Sequence, residues 1–536
     1  MSILLTRRAV LLAALESAYN VEASTDPTTD GVLVANPEYT VQTNVLERNF
    51  TRNDLSPLAH VMGRKLAGVK FQTELRGNGF QNSGNVDDAS IISRLFRGCG
   101  YALTAMPSPN VTEVYDIGDQ HNRVAWVQSS GAAATGTLTQ SVGNVSDGDT
   151  VTIDGKVYTF QTTLTNVNGH VHIGATAANS MTNLFNAINA TGGLPSVDYA
   201  ALTSPHPSVT ATNPTSTTVV VKAKVPGTGG NAIATTKVAT NLAWGGATLS
   251  GGSNIGSHTD VIAYYLDVTT PGASGTAQVT VTSDTAGEGS VAATLTSGTP
   301  FALGTHGITI TPTFTGSLID GQRWIIWALP TGLRLDPISD DFESLTMKLY
   351  MDGTMQKATG CMGTFQITAE AGNFATIDWT FTGQYFDLID TPIVAPIFER
   401  ALPSQVELAR LRLDDFSAVV AKFTYDQAND IQIRPDVNST DGYNGVRLVG
   451  RKPVGGVDPE ADLVANFNFW NALSTARRMP FQMRVGLDAG NTVWMLSATT
   501  QYSGLTYKDR NGIRTYDAGM RFTRYNENDE MLFVLT

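Results

Sequence analysis

Residues 345–383 read LTMKLYMDGTMQKATGCMGTFQITAEAGNFATIDWTFTG and have the pattern of an antiparallel β meander, in which short turns separate β-prone runs. Along the last run, apolar residues alternate with polar ones, which predicts a strand with one buried face. The apolar set is Ala375, Ile377, Trp379 and Phe381, and the polar set is Thr376, Asp378, Thr380 and Thr382. A second meander is predicted at 481–523, so we expect a mainly β fold with some helix (α+β).

A strand and a helix are predicted before each meander. Before the first meander, 68–77 is a predicted strand and 87–100 is a predicted helix that ends at Gly98. Its last turn carries Arg94 and Arg97, which suit the negative end of a helix dipole. The residues expected to face inward are Ile91, Leu95 and Phe96.

Before the second meander, a strand is predicted at 445–456, followed by a helix. Asp458 is the expected N-cap, Pro459 the first helical residue, and Pro480 the residue that stops the helix. Its buried face is expected to consist of Leu463, Phe467, Trp470 and Leu473. The order strand, helix, meander thus occurs twice, which favours an internal duplication, although a single undivided domain stays open.

The first 20 residues allow two interpretations. Leu11, Leu12, Leu15 and Tyr19 lie at helical spacing and predict an amphipathic helix. Arg7 and Arg8 before an apolar run also resemble a signal peptide, but the run is short and Glu16 interrupts it. The helix is therefore the favoured interpretation, and no stretch has the length of apolar sequence that a membrane helix needs.

The middle of the chain differs in composition from its flanks. Residues 131–330 contain only 14 of the 83 charged residues of the chain. The sequence GDTVTIDGKVYTF at 148–160 predicts a hairpin around Asp-Gly, and a helix is predicted to follow it with Met181, Leu184 and Ile188 on one face. The pattern favours two inserted modules, a ββαββ unit at 131–255 and a small β module at 256–330.

Charge and cysteine content exclude several classes of protein. The chain has 35 Lys and Arg against 48 Asp and Glu, a net charge of −13. A protein that binds nucleic acid through its phosphates needs an excess of basic residues, so the composition disfavours a nucleic-acid-binding protein. Two cysteines, Cys99 and Cys361, are too few for a disulfide framework and fit small buried side chains in a protein folded in a reducing compartment.

The search for a reaction centre finds no motif of the common hydrolases, metalloproteases or phosphate-binding loops. His170 and His172 would share one face of a strand, but no third metal ligand is predictable nearby. Three aspartates resemble a calcium loop only faintly and are better explained as turn residues, namely Asp147, Asp149 and Asp154. We therefore expect no catalytic, cofactor-binding or metal-ligating residues and no enzymatic activity.

Four segments carry a resemblance to a known family, the tail tube (major tail) proteins of long-tailed bacteriophages. They are the opening at 4–41, the segments 47–79 and 349–383, and the ending YKDRNGIRTYDAGMRFTRYNENDEMLFVLT at 507–536. The module at 131–255 resembles a small surface module that recurs in phage tail proteins and bacterial surface proteins.

The resemblance implies the following division of the chain. A first tail-tube-like domain would consist of 1–130 and 331–390, and a second of 391–536. Such domains are β-sandwiches with a flanking helix whose inner sheets join into a barrel. The modules at 131–255 and 256–330 would be insertions that project outward.

The resemblance also implies a function and partners. Six domains would form a ring, made of three chains if the domain is duplicated and of six if it is not. Stacked rings would form the virion tail tube, joined to terminator, tape measure and distal tail proteins. DNA would pass through the lumen without specific binding, and residues 131–330 could contact the host surface weakly. The protein would be made in the cytoplasm of the host bacterium, with no insertion into a membrane.

Two other functions stay open at this point. A receptor-binding or fibre adhesin would use the central modules as its binding part, although no shaft-like repeat is visible. A hydrolase of cell-wall or capsule sugars would need two carboxylates facing each other across a cleft, and the sequence names no such pair. The tail tube subunit is the favoured hypothesis. Asp352 and Glu370, at predicted turns of the first meander, are candidates for the lumen.

Overall fold

The computed structural model describes residues 8–536, except for 54, 57, 78–89, 107–110, 118–123, 129–132, 142, 192–193, 213, 216, 225–226, 253–257, 289–290, 307, 400–401, 415, 440–441 and 489. Of these described residues, 51% lie in strands and 6% in helices. The prediction of a mainly β fold is confirmed.

The elements follow one another along the chain as listed here. The first part contains β1 (Ala9–Leu15), β2 (Gly31–Val32), β3 (Ala35–Leu46), β4 (Val61–Glu74), α1 (Ile91–Arg97), β5 (Tyr101–Met106), β6 (Val111–Asp116) and β7 (Ala125–Gln128). The middle contains β8 (Thr135–Gln140), β9 (Thr150–Ile153), β10 (Lys156–Gln161), β11 (His170–His172), α2 (Ala177–Asn189), β12 (Val209–Ala211), β13 (Thr218–Ala223), β14 (Thr235–Val238), β15 (Leu242–Trp244), β16 (Ile262–Thr270), β17 (Gln278–Ser283), β18 (Val291–Thr294), β19 (Phe301–Leu303), β20 (Ile308–Thr313) and β21 (Arg323–Leu329). The last part contains β22 (Gly332–Pro337), β23 (Leu345–Met351), β24 (Thr354–Glu370), β25 (Thr376–Tyr385), β26 (Ile389–Asp390), β27 (Arg412–Leu413), β28 (Val420–Asp426), β29 (Asn429–Pro435), β30 (Tyr443–Arg451), β31 (Val454–Pro459), α3 (Phe469–Ser474), β32 (Met479–Val485), β33 (Val493–Arg510), β34 (Ile513–Thr523) and β35 (Leu532–Leu535).

The strands of the first and last parts form a body in which one pattern of antiparallel pairing occurs twice. In the first repeat, β1 pairs with β23, β23 with β24, β24 with β25, β25 with β4, and β4 with β3. In the second repeat, β27 pairs with β32, β32 with β33, β33 with β34, β34 with β31, and β31 with β28. A helix follows the corresponding strand in each, α1 after β4 and α3 after β31. The body therefore has a duplicated topology.

The spacing of the two repeats is constant over their first hairpins. Each residue of β3 and β4 has a counterpart 386 positions later, in the segment from β28 to β31. This spacing follows from two matched sets of paired residues, Glu38–Lys70 with Thr424–Gly456, and Thr43–Lys65 with Asn429–Arg451. The strand predicted at 68–77 therefore corresponds to the segment from Val454 onward rather than to 445–456.

One hydrophobic core serves both repeats. Phe96 of α1 is fully buried, and its ring centroid lies 4.8 Å from those of Phe365 in β24 and Phe533 in β35, and 5.1 Å from that of Trp379 in β25. Tyr425 of β28 lies 6.0 Å from Phe365 and joins the second repeat to the same cluster. The predicted inward face of this strand is confirmed, because Ala375, just before β25, and the predicted residues within β25 are at most 1% exposed.

A second module is inserted between β5 and β22 of the body. Its strands β16, β17, β18 and β21 form a sheet with β6, and β19 and β20 form another with β7. Strands β6 and β7 therefore belong to this module. The predicted boundary at 130, which would have placed both strands in the body, is wrong. Their partners lie 182 to 218 residues further along the chain, so local sequence patterns could not reveal the pairing.

The first module, from β8 to β15, is inserted within the second one. It has a hydrophobic core of its own and two four-stranded sheets, so it holds more strands than the predicted ββαββ unit. The predicted hairpin is present, with Asp154 and Gly155 both at positive φ, as a tight two-residue turn requires. α2 buries the three predicted residues Met181, Leu184 and Ile188.

Two predicted helices are wrong. The N-terminal apolar run forms strand β1, in which Leu11 and Ala13 face the body core while Val10 and Leu12 pack against Tyr350 on the other side. A strand buried on both faces has no alternation, and its sequence therefore imitates a helix.

The second wrong prediction is the long helix after Asp458. Asp458 and Pro459 end strand β31, and the helix spans only Phe469–Ser474 with Asn468 as its N-cap. Of the predicted buried face, Phe467 is buried but Leu463 is 72% exposed and Trp470 is 41% exposed. The Asp458 carboxylate does not cap a helix. It accepts hydrogen bonds from the amides of Ala421 and Lys422 in β28, across the sheet.

Candidate assembly surface

A polar face covers the side of the body sheet opposite the core, along β4, β25, β24 and β28. Its residues are exposed or half-buried and alternate with the core residues. Four carboxylates and two lysines are among them, with a Lys422–Glu370 ion pair of 2.7 Å and a Gln72–Asp378 hydrogen bond of 2.9 Å. We call this set the polar face, and it consists of Lys70, Gln72, Glu74, Thr364, Gln366, Thr368, Glu370, Thr376, Asp378, Thr380, Lys422, Thr424 and Asp426.

Of the two turn residues predicted for a lumen, only one lies on this face. Glu370 ends β24 and pairs with Lys422. Asp352 lies in the turn between β23 and β24, where it is 12% exposed and makes a 2.6 Å ion pair with Arg8.

The outer face of the sheet formed by β32, β33 and β35 is covered by the second module. Trp327 of β21 is fully buried there and donates a 3.0 Å hydrogen bond to Gln482 of β32. Asp260, just before β16, accepts hydrogen bonds from Arg484 and from the indole of Trp494 in the body. This module is therefore a fixed part of the body's surface.

The two repeats are joined by a sheet junction within the chain. The end of β24 pairs with β28, and the pairs run from Gln366–Asp426 to Glu370–Lys422. Within it, Ile367 and Tyr425 oppose each other and are fully buried. The inner sheet therefore continues without a break across eight strands, in the order β3, β4, β25, β24, β28, β31, β34, β33.

Both ends of this eight-stranded sheet are open edges within the described part of the chain. β3 pairs only with β4, and residues 504–510 of β33 pair only with β34. Unpaired edges are templates for adding a further strand, so proteins normally cover or pair them. The two open edges are the counterparts of the two strands that meet at the internal junction, since β3 corresponds to β28 and β33 to β24.

The internal junction predicts how the open edges would pair. Across the first repeat, Thr364 lies in one row with Thr380, Lys70 and Glu38, and across the second repeat Gly504 lies in one row with Gly519, Gly456 and Thr424. Thr364 therefore corresponds to Gly504, and Thr368 corresponds to Lys508. Because Thr368 opposes Thr424 at the internal junction, the same register places Lys508 opposite Glu38.

That register brings complementary side chains together. Lys508 and Glu38 carry opposite charges, and cross-strand pairs of opposite charge stabilise a sheet. In the next row, Tyr507 would lie opposite Tyr39, at the positions that Ile367 and Tyr425 occupy in the internal junction. Tyr507 is 52% exposed in the single chain, so the pairing would bury an aromatic side chain that now faces solvent.

The residues considered for metal binding have ordinary structural roles. His170 lies on β11 and its Nδ1 is 2.7 Å from the Thr165 hydroxyl. Asp147 accepts a 2.7 Å hydrogen bond from the amide of Thr162, just after β10, and Asp149 accepts one of 2.7 Å from the amide of Ser146 within its own turn. Among the residues that the structure describes, no group of three or more His, Cys, Asp or Glu side chains could hold a metal ion.

The two cysteines lie in the body core. Cys99 and Cys361 are both fully buried and not linked to each other. Burial raises the pKa of both thiols, so neither is activated as a nucleophile.

A buried carboxylate that sequence reasoning missed lies in the second module. Glu288 is 2% exposed and accepts hydrogen bonds from the hydroxyls of Tyr264 at 2.7 Å and Thr305 at 2.6 Å, and from the Thr305 amide at 2.9 Å. Its other neighbour is His306, whose Nε2 lies 3.2 Å away. Burial alone would raise the pKa of Glu288, but these donors lower it below its usual value. The Glu288 carboxylate therefore has hydrogen-bond donors for its buried oxygens and a structural role.

Comparisons with known proteins add no assignment. No protein-family model matches the chain, and no curated protein matches it. No helix within the described ranges is long and apolar enough to span a membrane.

Proposed function

We propose that the protein is a structural subunit of a phage tail tube, in which three chains form a ring and rings stack into the conduit for the genome. The observation that carries the proposal is the eight-stranded sheet whose two open edges are the counterparts of its own internal junction. Head-to-tail pairing of such edges generates a ring when the rotation closes, and closure removes every edge.

The number of chains in the proposed ring follows from the duplication. The resemblance to tail tube proteins implies six sandwich domains around the channel, and each chain supplies two repeats. Three chains then make three internal junctions between β24 and β28 and three intermolecular junctions between β33 and β3. The ring would have a pseudo-sixfold inner wall.

The polar face supports a role as the lining of a channel. Threonine, glutamine and carboxylate side chains dominate it, and its four carboxylates outnumber its two lysines. Such a surface repels phosphates and lets DNA pass, whereas a surface that binds DNA carries an excess of basic residues. The opposite side of the body bears the second module, which would place both modules on the outside of the tube.

The proposed partners follow from this arrangement. Further copies of the chain would form the ring and the stack, in the virion tail, and terminator, tape measure and distal tail proteins would meet the ends and the interior of the tube. The first module, exposed on the outside, would be free to touch the host surface weakly. No observation favours the alternative adhesin over this proposal.

Charge reversal at the predicted junction tests the proposal. Lys508→Glu or Glu38→Lys alone should weaken ring formation, because each places like charges opposite each other. A loss of about 0.7 kcal/mol at each junction amounts to about 2 kcal/mol over three junctions, or about 30-fold in the ring-forming constant. The double variant should recover assembly, and Lys237→Glu, an exposed change in the first module, is the matched control.

Sedimentation and electron microscopy of concentrated protein, and of the native particle, measure the outcome. Stacked rings with a central channel and outward knobs support the proposal. Globules or slender rods under both conditions would contradict it. Rings that the single reversals leave intact would contradict the predicted junction.

A further inference from the structure

Each repeat carries a hairpin arm that extends beyond the sheet. The first arm consists of the outer parts of β3 and β4 and the described residues between them, within 41–53, 55–56 and 58–64. The second arm consists of 427–439 and 442–450 and contains most of β29 and β30. The spacing of 386 residues holds on both strands, so the arms have equal length. Val45 pairs with Met62 in the first arm, just as their counterparts Ile431 and Leu448 pair in the second.

The second arm is covered by the first repeat of its own chain. Val446 and Leu448 are 1% and 6% exposed and pack in one apolar cluster with Leu66 of β4 and Met362 of β24. The hydroxyl of Tyr443, itself 3% exposed, donates a 2.8 Å hydrogen bond to a backbone carbonyl of β4. The arm is thus part of the junction at which β28 pairs with β24.

The first arm has the same construction but no such cover. Val45 is 45% exposed and Met62 is 51% exposed, although their counterparts in the second arm are buried or half-buried. Leu46 and Val61, the next pair along the hairpin, are 47% and 52% exposed. An apolar hairpin of this kind is a surface for association.

We propose that the first arm packs against the second repeat of the neighbouring copy in the ring. This inference rests on the proposed function, since it takes the pairing of β33 with β3 as given. β28 leads directly into the second arm and pairs with β24. β3 leads directly into the first arm, so pairing of β3 with β33 of a neighbour places that arm over the equivalent region of the neighbour.

Two positions that are apolar at the contact within the chain are both charged at their counterparts in the proposed contact between chains. In the covered cluster, Ile433 of the second arm packs in one group with Leu66 of the first repeat. Their counterparts at the same spacing are Glu47 on the first arm and Lys452 on the second repeat. An apolar pair at the internal contact thus becomes an acid and a base at the proposed intermolecular contact, which favours the neighbouring copy as the partner.

Cysteine cross-linking of the full chain tests the arm and the edge separately. Glu47→Cys with Lys452→Cys reports the arm contact, and Glu38→Cys with Lys508→Cys reports the edge pairing. Each double variant is treated with a short bismaleimide at high concentration and analysed on denaturing gels. The native thiols are fully buried and stay unreactive. Arg48→Cys with Lys452→Cys is the control, because Arg434, the counterpart of Arg48, is exposed.

We expect covalent dimers and trimers from both the arm pair and the edge pair. The control pair should give at least five-fold fewer of these products. Products from the edge pair alone would overturn the arm contact and leave the proposed ring in place. Products from neither pair would overturn both. Equal yields from the arm pair and its control would also overturn the inference, because they would mean collision without a defined contact.

Discussion

Phe96 packs against four aromatic side chains in the core of the body. Its ring lies within 4.8 to 5.8 Å of Phe365, Trp379, Tyr101 and Phe533. Phe96→Ala should therefore lower the free energy of unfolding by about 3–5 kcal/mol, the cost of a large cavity in a packed core. Denaturant unfolding measures the change, and Phe50→Ala, at a side chain that is 67% exposed, should cost less than about 0.5 kcal/mol. Equal losses from both variants would contradict the assigned core.

Glu288 predicts a pH dependence for the second module. Its pKa is lowered from the ordinary 4.5, so the ionised form favours the folded state. This stabilisation is present above pH 4.5 and is lost as the pH falls through the lower pKa of the folded protein. Melting temperatures between pH 3 and 7 should fall more steeply on acidification in the native chain than in Glu288→Gln. Parallel curves would contradict the assignment, and Asp320→Asn, at an exposed acid of the same module, is the control.

Single residues show which parts of the structure can be predicted from the sequence. The alternation of Ile377 and Trp379 with Asp378 and Thr380 predicts the two faces of β25 correctly. A strand with one buried and one solvent-exposed face has apolar residues at every second position of its sequence. The Asp458–Pro459 pair was misleading, since the same residues suit a helix start and a strand end. Nothing local distinguishes a carboxylate that caps a helix from one that accepts amides across a sheet.

Among the elements, the first module is the one that can be removed most cleanly. Thr135 and Ser250 are joined by backbone hydrogen bonds, so the chain enters and leaves the module at adjacent points. Replacing 134–251 by a short Gly-Ser linker should leave the melting temperature of the remainder within a few degrees. Deleting 131–330 should instead cause aggregation, because it exposes body residues such as Trp494 and Leu496 that the second module covers. Calorimetry and light scattering of the two deletions measure the difference, and similar behaviour would contradict the nested arrangement.

Strand β1 shows why some elements escape local reasoning. Five consecutive residues, from Val10 to Ala14, are buried because the strand packs on both faces. A continuous apolar run has no period, and its spacing also fits a helix. The hairpin at Asp154-Gly155 was predictable for the opposite reason, since both turn positions need a positive φ and the sequence supplies suitable residues.

At the scale of the whole molecule, the chain of 57.1 kDa should assemble in multiples of three. A single ring would then have a mass of about 171 kDa, which mass photometry of diluted assemblies measures. A ring twice as heavy, with six chains, would contradict the pairing of β33 with β3 inside a ring of three. Lys508→Glu should shift the distribution toward the monomer, whereas Lys237→Glu should leave it unchanged.

The topology of the whole molecule was the part least open to prediction. The duplication was visible as a repeated order of elements, but the matching strands differ in sequence. The strand predicted at 445–456 begins nine positions before the counterpart of residue 68. The insertion of one module inside another joins β6 to β21 across more than 190 intervening residues. Contacts at such a separation leave no trace in local periodicity.

The internal junction between β24 and β28 also has a kinetic consequence. A contact within one chain forms at a rate that does not depend on protein concentration, because its partners are tethered at a high effective concentration. Half of the joints in the proposed ring would then be complete as soon as each chain has folded, and only the other half would require encounters between molecules. Fusion of two repeats would thus lower the number of molecules that must meet to form the proposed ring. It would also allow the two halves to diverge, one keeping its arm covered and the other offering its arm to the proposed partner.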